Sequence, residues 1–261
     1  MIPVAAFDTE TTGVDVETAR IVSAAYVELG ARGEVTFERT WLVDPGVPIP
    51  DEAAAIHGIT TERAQADGQE VRAAIRSIAG QVVQGAVEFP LVVYNAPYDL
   101  TLLDRECWRH AGQSLLAGEW TTPVLDPFVL DKHVDRYRPG KRTLIATAAT
   151  LGVPFAGTAH GALADAITAG RLAQWMLNQP ALDPYTPEAL YHSQIGWAVE
   201  IADSLRDHFR TQGFSGRAET VDGTWPMRRH HHHLENGACV FPCCADRAPD
   251  VVAPDHSWVS E

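Results

Sequence analysis

Two carboxylates close the first apolar stretch of the chain. In VAAFDTETTG, residues 4–13, Asp8 and Glu10 follow four apolar residues directly. Side chains two positions apart on a strand point to the same face, about 6.6 Å apart along it, so both acids address one spot. A third carboxylate, Asp99, follows the compact apolar run FPLVVYN, residues 89–95, within the segment NAPYD. A fourth, Asp165, stands among Leu163, Ala164, Ala166 and Ile167, with His160 five residues before it in HGALAD. Five positions on an ideal helix amount to about 140° of net rotation. His160 and Asp165 therefore share a site only if the histidine stands in a loop or first turn, a bend that Gly157 and Gly161 permit.

Four carboxylates cannot meet uncompensated, because each raises the pKa of the others and opposes folding. Divalent cations remove the conflict. Hard ions such as Mg²⁺ accept carboxylate oxygen and also bind phosphate. Two of them, about 3.5–4 Å apart, can hold the attacking and leaving oxygens of a phosphodiester. A histidine, with an ordinary pKa near neutrality, can take the proton from water. The set points to hydrolysis at phosphorus. Each residue also has an ordinary structural use. Asp8 can cap the turn after a strand, and Asp99 can be a first-turn helix acid favoured by the dipole. Asp165 can pair with Arg171 or Arg142, and His160 can be a partly buried loop histidine.

Apolar runs at 3–7, 20–29 and 35–43 read as strands, the last two joined by the turn ARG into a hairpin. A Pro-rich loop, 44–60, runs into a short helix, and helical spacing covers 70–83. The strand 89–95 leads into a helix in APYDLTLLDRECWRHAG, and 122–134 holds a short strand and a turn. Residues 142–153 form a helix closed by Gly152, 160–179 form another, and 187–213 form a long one with Pro187 in its first turn. Strands followed by alternating strands and helices imply an α/β fold, a mixed sheet flanked by helices. The carboxylates then sit outside the carboxyl ends of strands, where ligands of open α/β sheets gather.

After Gly213 the periodicity stops, and 213–261 reads as a tail of low structure. It carries HHHH at 230–233, which binds transition metals weakly in any accessible context. It also carries Cys239, Cys243 and Cys244; together with Cys107 they lack the paired C-x-x-C spacing of a zinc module.

With 261 residues, 46% of them hydrophobic, the chain can build one sizeable domain with a tail, or two small domains. A formal charge of −14 argues against a broad basic nucleic-acid clamp, although bound divalent ions reverse the field locally. RYRPGKR, 136–142, is the one compact basic patch; it either guides a strand backbone or is a solvated loop. The chain holds no run of 18 apolar residues, which argues against a membrane span. Its start, MIPVAAFDTE, lacks the basic-then-apolar pattern of an export signal, so the expected location is cytoplasmic.

In order and spacing these motifs resemble the DnaQ-like 3′–5′ exonuclease family, in its DEDDh branch, which includes the proofreading epsilon subunit of bacterial DNA polymerase III. FDTETTG at 7–13, NAPYD at 95–99 and HGALAD at 160–165 match the three family motifs. IHGIT at 56–60 and VLD at 124–126 match recurrent segments, and the likeness spans about residues 3–180. The resemblance implies a ribonuclease H-like mixed sheet flanked by helices, with the exonuclease domain over 1–212. It implies that Asp8 bridges two Mg²⁺ or Mn²⁺ ions, that Glu10 and Asp165 bind the first, and that Asp99 helps to hold the second. His160 is then the general base, and nucleoside 5′-monophosphates leave from a DNA 3′ end, preferably single-stranded or frayed. Thr11 and Thr12 are expected to hold the terminal nucleotide, and His57 and Ile59 to line its base or sugar pocket. Asn95 either orders the second motif by hydrogen bonding or caps the strand. The same chemistry serves RNA, and no residue separates the two polymers. A DNA polymerase subunit is an implied partner; the alternative of another class is a non-catalytic binding or assembly subunit. QIGWAVEIADSL, 194–205, is expected to pack on the domain.

Overall fold

A computed structural model of the chain describes residues 1–112, 114–115, 122–157, 160–228, 234–235 and 238–239. Strands β1 (Val4–Thr11), β2 (Ile21–Leu29) and β3 (Val35–Asp44) form an antiparallel meander. Next come helices α1 (Asp51–His57) and α2 (Thr61–Asp67), the short strand β4 (Gln69–Glu70) and helix α3 (Val71–Glu88). Then follow β5 (Leu91–Val92), α4 (Ala96–Ala111), β6 (Val124–Leu125), α5 (Pro127–Val134), α6 (Leu144–Leu151) and α7 (Ala162–Leu177). Helices α8 (Pro187–Thr211) and α9 (Ser215–Glu219) come after them, and β7 (Leu234–Glu235) pairs with β8 (Ala238–Cys239) as a separate ladder. The main sheet has the order β4-β3-β2-β1-β5-β6, with β4, β5 and β6 added in parallel.

Alternation along β1 divides the core into two layers. Ala5 and Phe7 face Ile75, Ile78 and Val82 of α3 and Leu100 and Leu103 of α4. Val4 and Ala6 face Ala166, Ala169, Leu172 and Ala173 of α7. Both faces of the sheet are thus covered, the condition under which an apolar central strand is stable. The small residues of α7 let it lie close: a Cβ on Gly170 would stand 2.5 Å from Leu29 Cδ1. In the opposite layer a Cβ on Gly85 of α3 would overlap the hydroxyl and ring of Tyr26, which is fully buried. Gly85→Ala is therefore expected to destabilise the fold by about 1–3 kcal/mol, the usual cost of overpacking. A lower urea midpoint at unchanged slope would register it.

Three segments before α6 differ from the sequence expectation. The turn within 122–134 is the helix α5. Asp126 caps it by accepting the Phe128 N–H at 3.0 Å, and Pro127 takes the first turn. Helix α2 stands where no element was read, started by Thr60, which accepts the Arg63 N–H at 3.3 Å. The strand expected over 89–95 stays in the ladder only at Leu91–Val92, because Asn95 takes a left-handed conformation (φ 60°) and turns the chain off the sheet.

The long helix starts at Pro187 as expected, and 194–205 packs on the domain through Ala198 and Ala202. Gln194 acts as a surrogate strand for β6. Its Oε1 accepts the Asp126 N–H at 2.8 Å, and its Nε2 donates to the Val124 carbonyl at 2.9 Å. The expected low-structure tail is corrected over 214–228, which holds α9 and the buried Trp225. This segment has no period of 2 or 3.6, so a reading by periodicity passes over it. The histidines at 230–233, together with Cys243, Cys244 and the rest of 240–261, lie outside the described residues. Among the described residues no helix is long and apolar enough to cross a membrane.

Candidate active site

Asp8 and Glu10 continue the face of Val4 and Ala6, so they point into the layer that holds α7. Asp165 is in the first turn of that helix. One carboxylate oxygen from each of Asp8, Glu10 and Asp165 lies within 4.8 Å of the other two. Asp99 arrives from the opposite layer. The β1–β5 ladder ends at Ala6↔Val92, and beyond it the β1 edge needs another acceptor. Asp99 supplies it: its Oδ1 accepts the Thr9 N–H at 3.0 Å and the Thr9 hydroxyl at 2.6 Å. The early departure of β5 from the sheet is what opens this position.

The turn that delivers Asp99 is held from beneath by Asp126. Its Oδ1 accepts the Asn95 N–H at 2.8 Å, and its Oδ2 accepts the Ala96 N–H at 3.0 Å. The amides satisfied are among the orphan donors at the start of α4. Trp225 Nε1 donates to Oδ2 at 3.2 Å. His160 is exposed and precedes α7 with φ 62°, a costly conformation for a residue with a side chain. Its position in the loop is the one the rotation argument requires.

Asp8, Glu10, Asp99, His160 and Asp165 line one cavity of about 430 Å³, together with Asn95. Its other walls are Tyr94, Tyr98, Phe128, Leu144 and Ile145. The Tyr98 hydroxyl clusters with the Gly13 carbonyl and with Thr11 Oγ1, 2.6 Å away. Arg142 also borders the cavity, but its guanidinium is committed to the buried Asp131, which Arg138 binds at 2.8 Å. Two of the four cations of RYRPGKR are thereby neutralised inside the fold, and only Arg136 and Lys141 remain exposed. Arg171 donates to the Gly33 carbonyl at 3.0 Å, so both alternative partners of Asp165 are engaged elsewhere.

The remaining expected residues stand apart from the cavity lining. Thr12 Oγ1 accepts the Arg20 N–H at 2.9 Å and closes the turn after β1. Ile59 is core, packed with Val22, Ile49 and Ala64. His57 Nδ1 accepts the Ile59 N–H at 3.2 Å; burial lowers its pKa, with the Thr11 main chain opposing. Sequence reasoning gave no role to Asp126 or to the aromatic walls, although VLD and NAPYD contain Asp126 and Tyr98.

The four carboxylates of the cavity crowd one another electrostatically. Burial, followed by the charges of Asp99, Asp165 and Glu10, raises the Asp8 pKa well above the carboxylate range. Glu10 rises to about 7 through burial, Asp165 and Asp99. Burial also lifts Asp99 to about 7, against the pull of the Thr9 hydrogen bonds. Asp165 is raised by burial and held back by His160. Such a group ionises fully only beside compensating positive charge.

The match to known proteins decides the family. An exonuclease family profile, RNase T, covers residues 5–173, which contain all five of these residues. The chain belongs to the RNase T exonuclease family. Residues 5–173 are its exonuclease domain, and the region from α8 to Arg228 lies beyond the matched span.

A DNA polymerase III subunit epsilon-like protein of Rhodobacter capsulatus is 34% identical over 171 residues, 62% of this chain and 22% of that protein. The DNA polymerase III subunit epsilon of Rickettsia prowazekii is 28% identical over 186 residues, 66% of this chain and 77% of that one. The exonuclease therefore spans only about a fifth of the Rhodobacter relative. Among solved structures, E. coli exonuclease I in complex with a dT13 oligonucleotide superposes with a TM-score of 0.59 at 18% identity, over 71% of this chain and 43% of that one. Exonuclease X in complex with 5′-overhanging duplex DNA gives 0.52 at 22%, over 73% and 99%. The six-stranded mixed sheet flanked by helices is the ribonuclease H-like fold of these exonucleases.

Proposed function

We propose that this exonuclease removes nucleotides one at a time from the 3′ end of DNA, with Asp8, Glu10, Asp99 and Asp165 holding two Mg²⁺ or Mn²⁺ ions. The observation that carries the reading is the convergence of three carboxylates within 4.8 Å, beside a fourth and next to an exposed histidine. The donor set fits such ions. All four groups offer hard carboxylate oxygen, and Asp165 Oδ1 is buried with no hydrogen-bond partner among the described residues. Bound ions of this kind stabilise the charge on the attacking and leaving oxygens of an in-line displacement.

His160 takes the proton from the attacking water at an imidazole nitrogen. The water oxygen bonds to phosphorus, the bond from phosphorus to the preceding O3′ breaks with its electron pair going to O3′, which takes a proton from solvent, and a nucleoside 5′-monophosphate leaves. The walls formed by Tyr94, Tyr98, Phe128, Leu144 and Ile145 receive base and sugar by apolar contact and stacking. Asn95 faces the same space, while Thr11 acts through the Tyr98 hydroxyl it touches. Thr12, His57 and Ile59 support the substrate indirectly, by ordering the segments around the end of β1. A single terminal nucleotide suits a cavity of this volume and suits single-stranded or frayed ends better than intact duplex. The polymerase-subunit relatives support DNA as the substrate, a DNA polymerase as partner and a cytoplasmic setting.

A 5′-labelled oligonucleotide is expected to shorten in single-nucleotide steps with Mn²⁺ and to stay intact with a chelator. DNA is expected to be trimmed at least about as fast as RNA of equal sequence, because the two share the reacting phosphodiester. Trimming of RNA alone, or cutting of a substrate blocked at its 3′ end, would overturn the assignment.

A further inference from the structure

The second acidic motif is gripped on both sides of Asp99 by one segment of chain that lies past residue 173, where the family match ends. On the N-terminal side, Trp225 Nε1 reaches Asp126 Oδ2, and the same carboxylate binds the Asn95 and Ala96 amides. On the C-terminal side, the Arg228 N–H donates to Thr101 Oγ1 at 2.8 Å, two residues beyond Asp99 on α4. Trp225, Asp126 and Thr101 are all buried. The segment is itself tied down. Arg206 Nε of α8 donates to the Val221 carbonyl at 3.1 Å, and Asp222 Oδ1 accepts the Thr224 N–H at 2.8 Å. Gly223 lies against Ala202, where a Cβ would come within 2.9 Å of the alanine methyl.

We infer that residues 221–228 form a strap that positions Asp99, and that Trp225 is its positioning residue. The catalytic readout of this inference rests on the nuclease reading above. The physical reason lies in Asn95. Its left-handed backbone is held by the Asp126 carboxylate, and an amide turn of that kind relaxes when its acceptor can move. Asp126 keeps its place because four donors converge on its two oxygens, three from α4 and α5 and the fourth from the strap. Removing the indole N–H leaves Oδ2 with the Ala96 N–H alone. The turn then loosens, and Asp99 loses its alignment with Asp8.

The test uses the full chain. Trp225→Phe keeps a buried aromatic ring, loses the donor and leaves a small cavity whose cost the melt reports, while Thr101→Val keeps shape and loses the acceptor for Arg228. Trp225→Phe is expected to lower kcat about tenfold, the scale of one hydrogen bond to a charged group, with KM within about twofold. Mn²⁺ binding, titrated by calorimetry without nucleic acid, is expected to weaken by a similar factor of about ten, as for outer partners of metal ligands. Thr101→Val should move both readouts in the same direction, and Arg210→Ala, on the exposed side of α8, should move neither. A folded Trp225→Phe protein with wild-type kcat and Mn²⁺ affinity overturns the strap. So does a loss of activity that only tracks the folded fraction in a melt. If Trp225→Phe does not fold, Thr101→Val decides by the same criteria. A wild-type chain that binds Mn²⁺ and cuts neither DNA nor RNA sinks the nuclease reading alone, because the Mn²⁺ comparison still judges the strap.

Discussion

Asp8→Asn is expected to abolish cleavage, lowering kcat by about a thousandfold or more, the scale of losing a group preorganised at developing charge, while leaving the domain folded. Asp8 has the most contested position in the site. Its carboxylate is buried, and Asp99, Asp165 and Glu10 all push its pKa upward. It is the acid that each of the other three addresses. Asparagine keeps its shape on β1, where the neighbours Phe7 and Thr9 pack into the opposite layer, so the sheet has no reason to change. Without metal, removing one of four like charges relieves repulsion. The variant should therefore melt at the same temperature as the parent or above it. An inactive protein of equal or greater stability separates loss of chemistry from loss of fold. Steady-state cleavage with Mn²⁺, paired with a circular dichroism melt, measures both, and a folded variant with full activity would refute the role assigned to Asp8.

The metal-free exonuclease should lose stability as pH rises from about 5 to 8, and divalent ions should restore it at the upper end. The sign follows from the direction of the shifts. In the unfolded chain these carboxyls titrate near about 4. In the folded chain Glu10 and Asp99 titrate near about 7, and Asp8 and Asp165 are raised as well. Between those limits the folded state holds more protons than the unfolded one, so its stability falls with every increment of pH. Asp126, raised to about 6 by burial, adds to the same slope. Its carboxylate is occupied by four donors, so it does not answer to metal. The metal-dependent part of the change thus isolates the cluster. At pH 8 and about 100-fold above its dissociation constant, Mg²⁺ or Mn²⁺ should raise Tm by roughly 5–10 °C. At pH 5, where protons already neutralise the site, the rise should be much smaller. A Tm that ignores pH across this window, or a metal response equal at both values, would contradict the shared cation site.

The acids of this site were legible because each carries a local signal. Asp8 and Glu10 sit at a spacing of two on a strand whose apolar residues announce it. Asp165 interrupts an apolar helix, and the rotation between it and His160 forced the histidine into the loop where it stands at φ 62°. Helix starts and stops at Pro187 and Gly152 were readable for the same reason, since caps act within a single turn. The expectation failed where the deciding partner is distant. The turn expected after Val124–Leu125 became α5 because Asp126 caps it, and the strand over 89–95 is cut short by a turn that Asp126 also holds. Thr12 closes a turn and Ile59 fills a small core cluster, contacts that no local pattern announces.

By itself the sequence marked which acids and which imidazole share one cavity, and the alternating elements that bring them to one end of a sheet. Periodicity and charge are properties of neighbouring residues, and they survive without coordinates. The tertiary structure alone decided how the acids are held. Asp99 takes the place of a strand for Thr9, Gln194 does the same for β6, and Trp225 closes on Asp126 across 99 positions of chain. Such contacts depend on the path of the backbone through space, and no pattern in consecutive residues encodes that path.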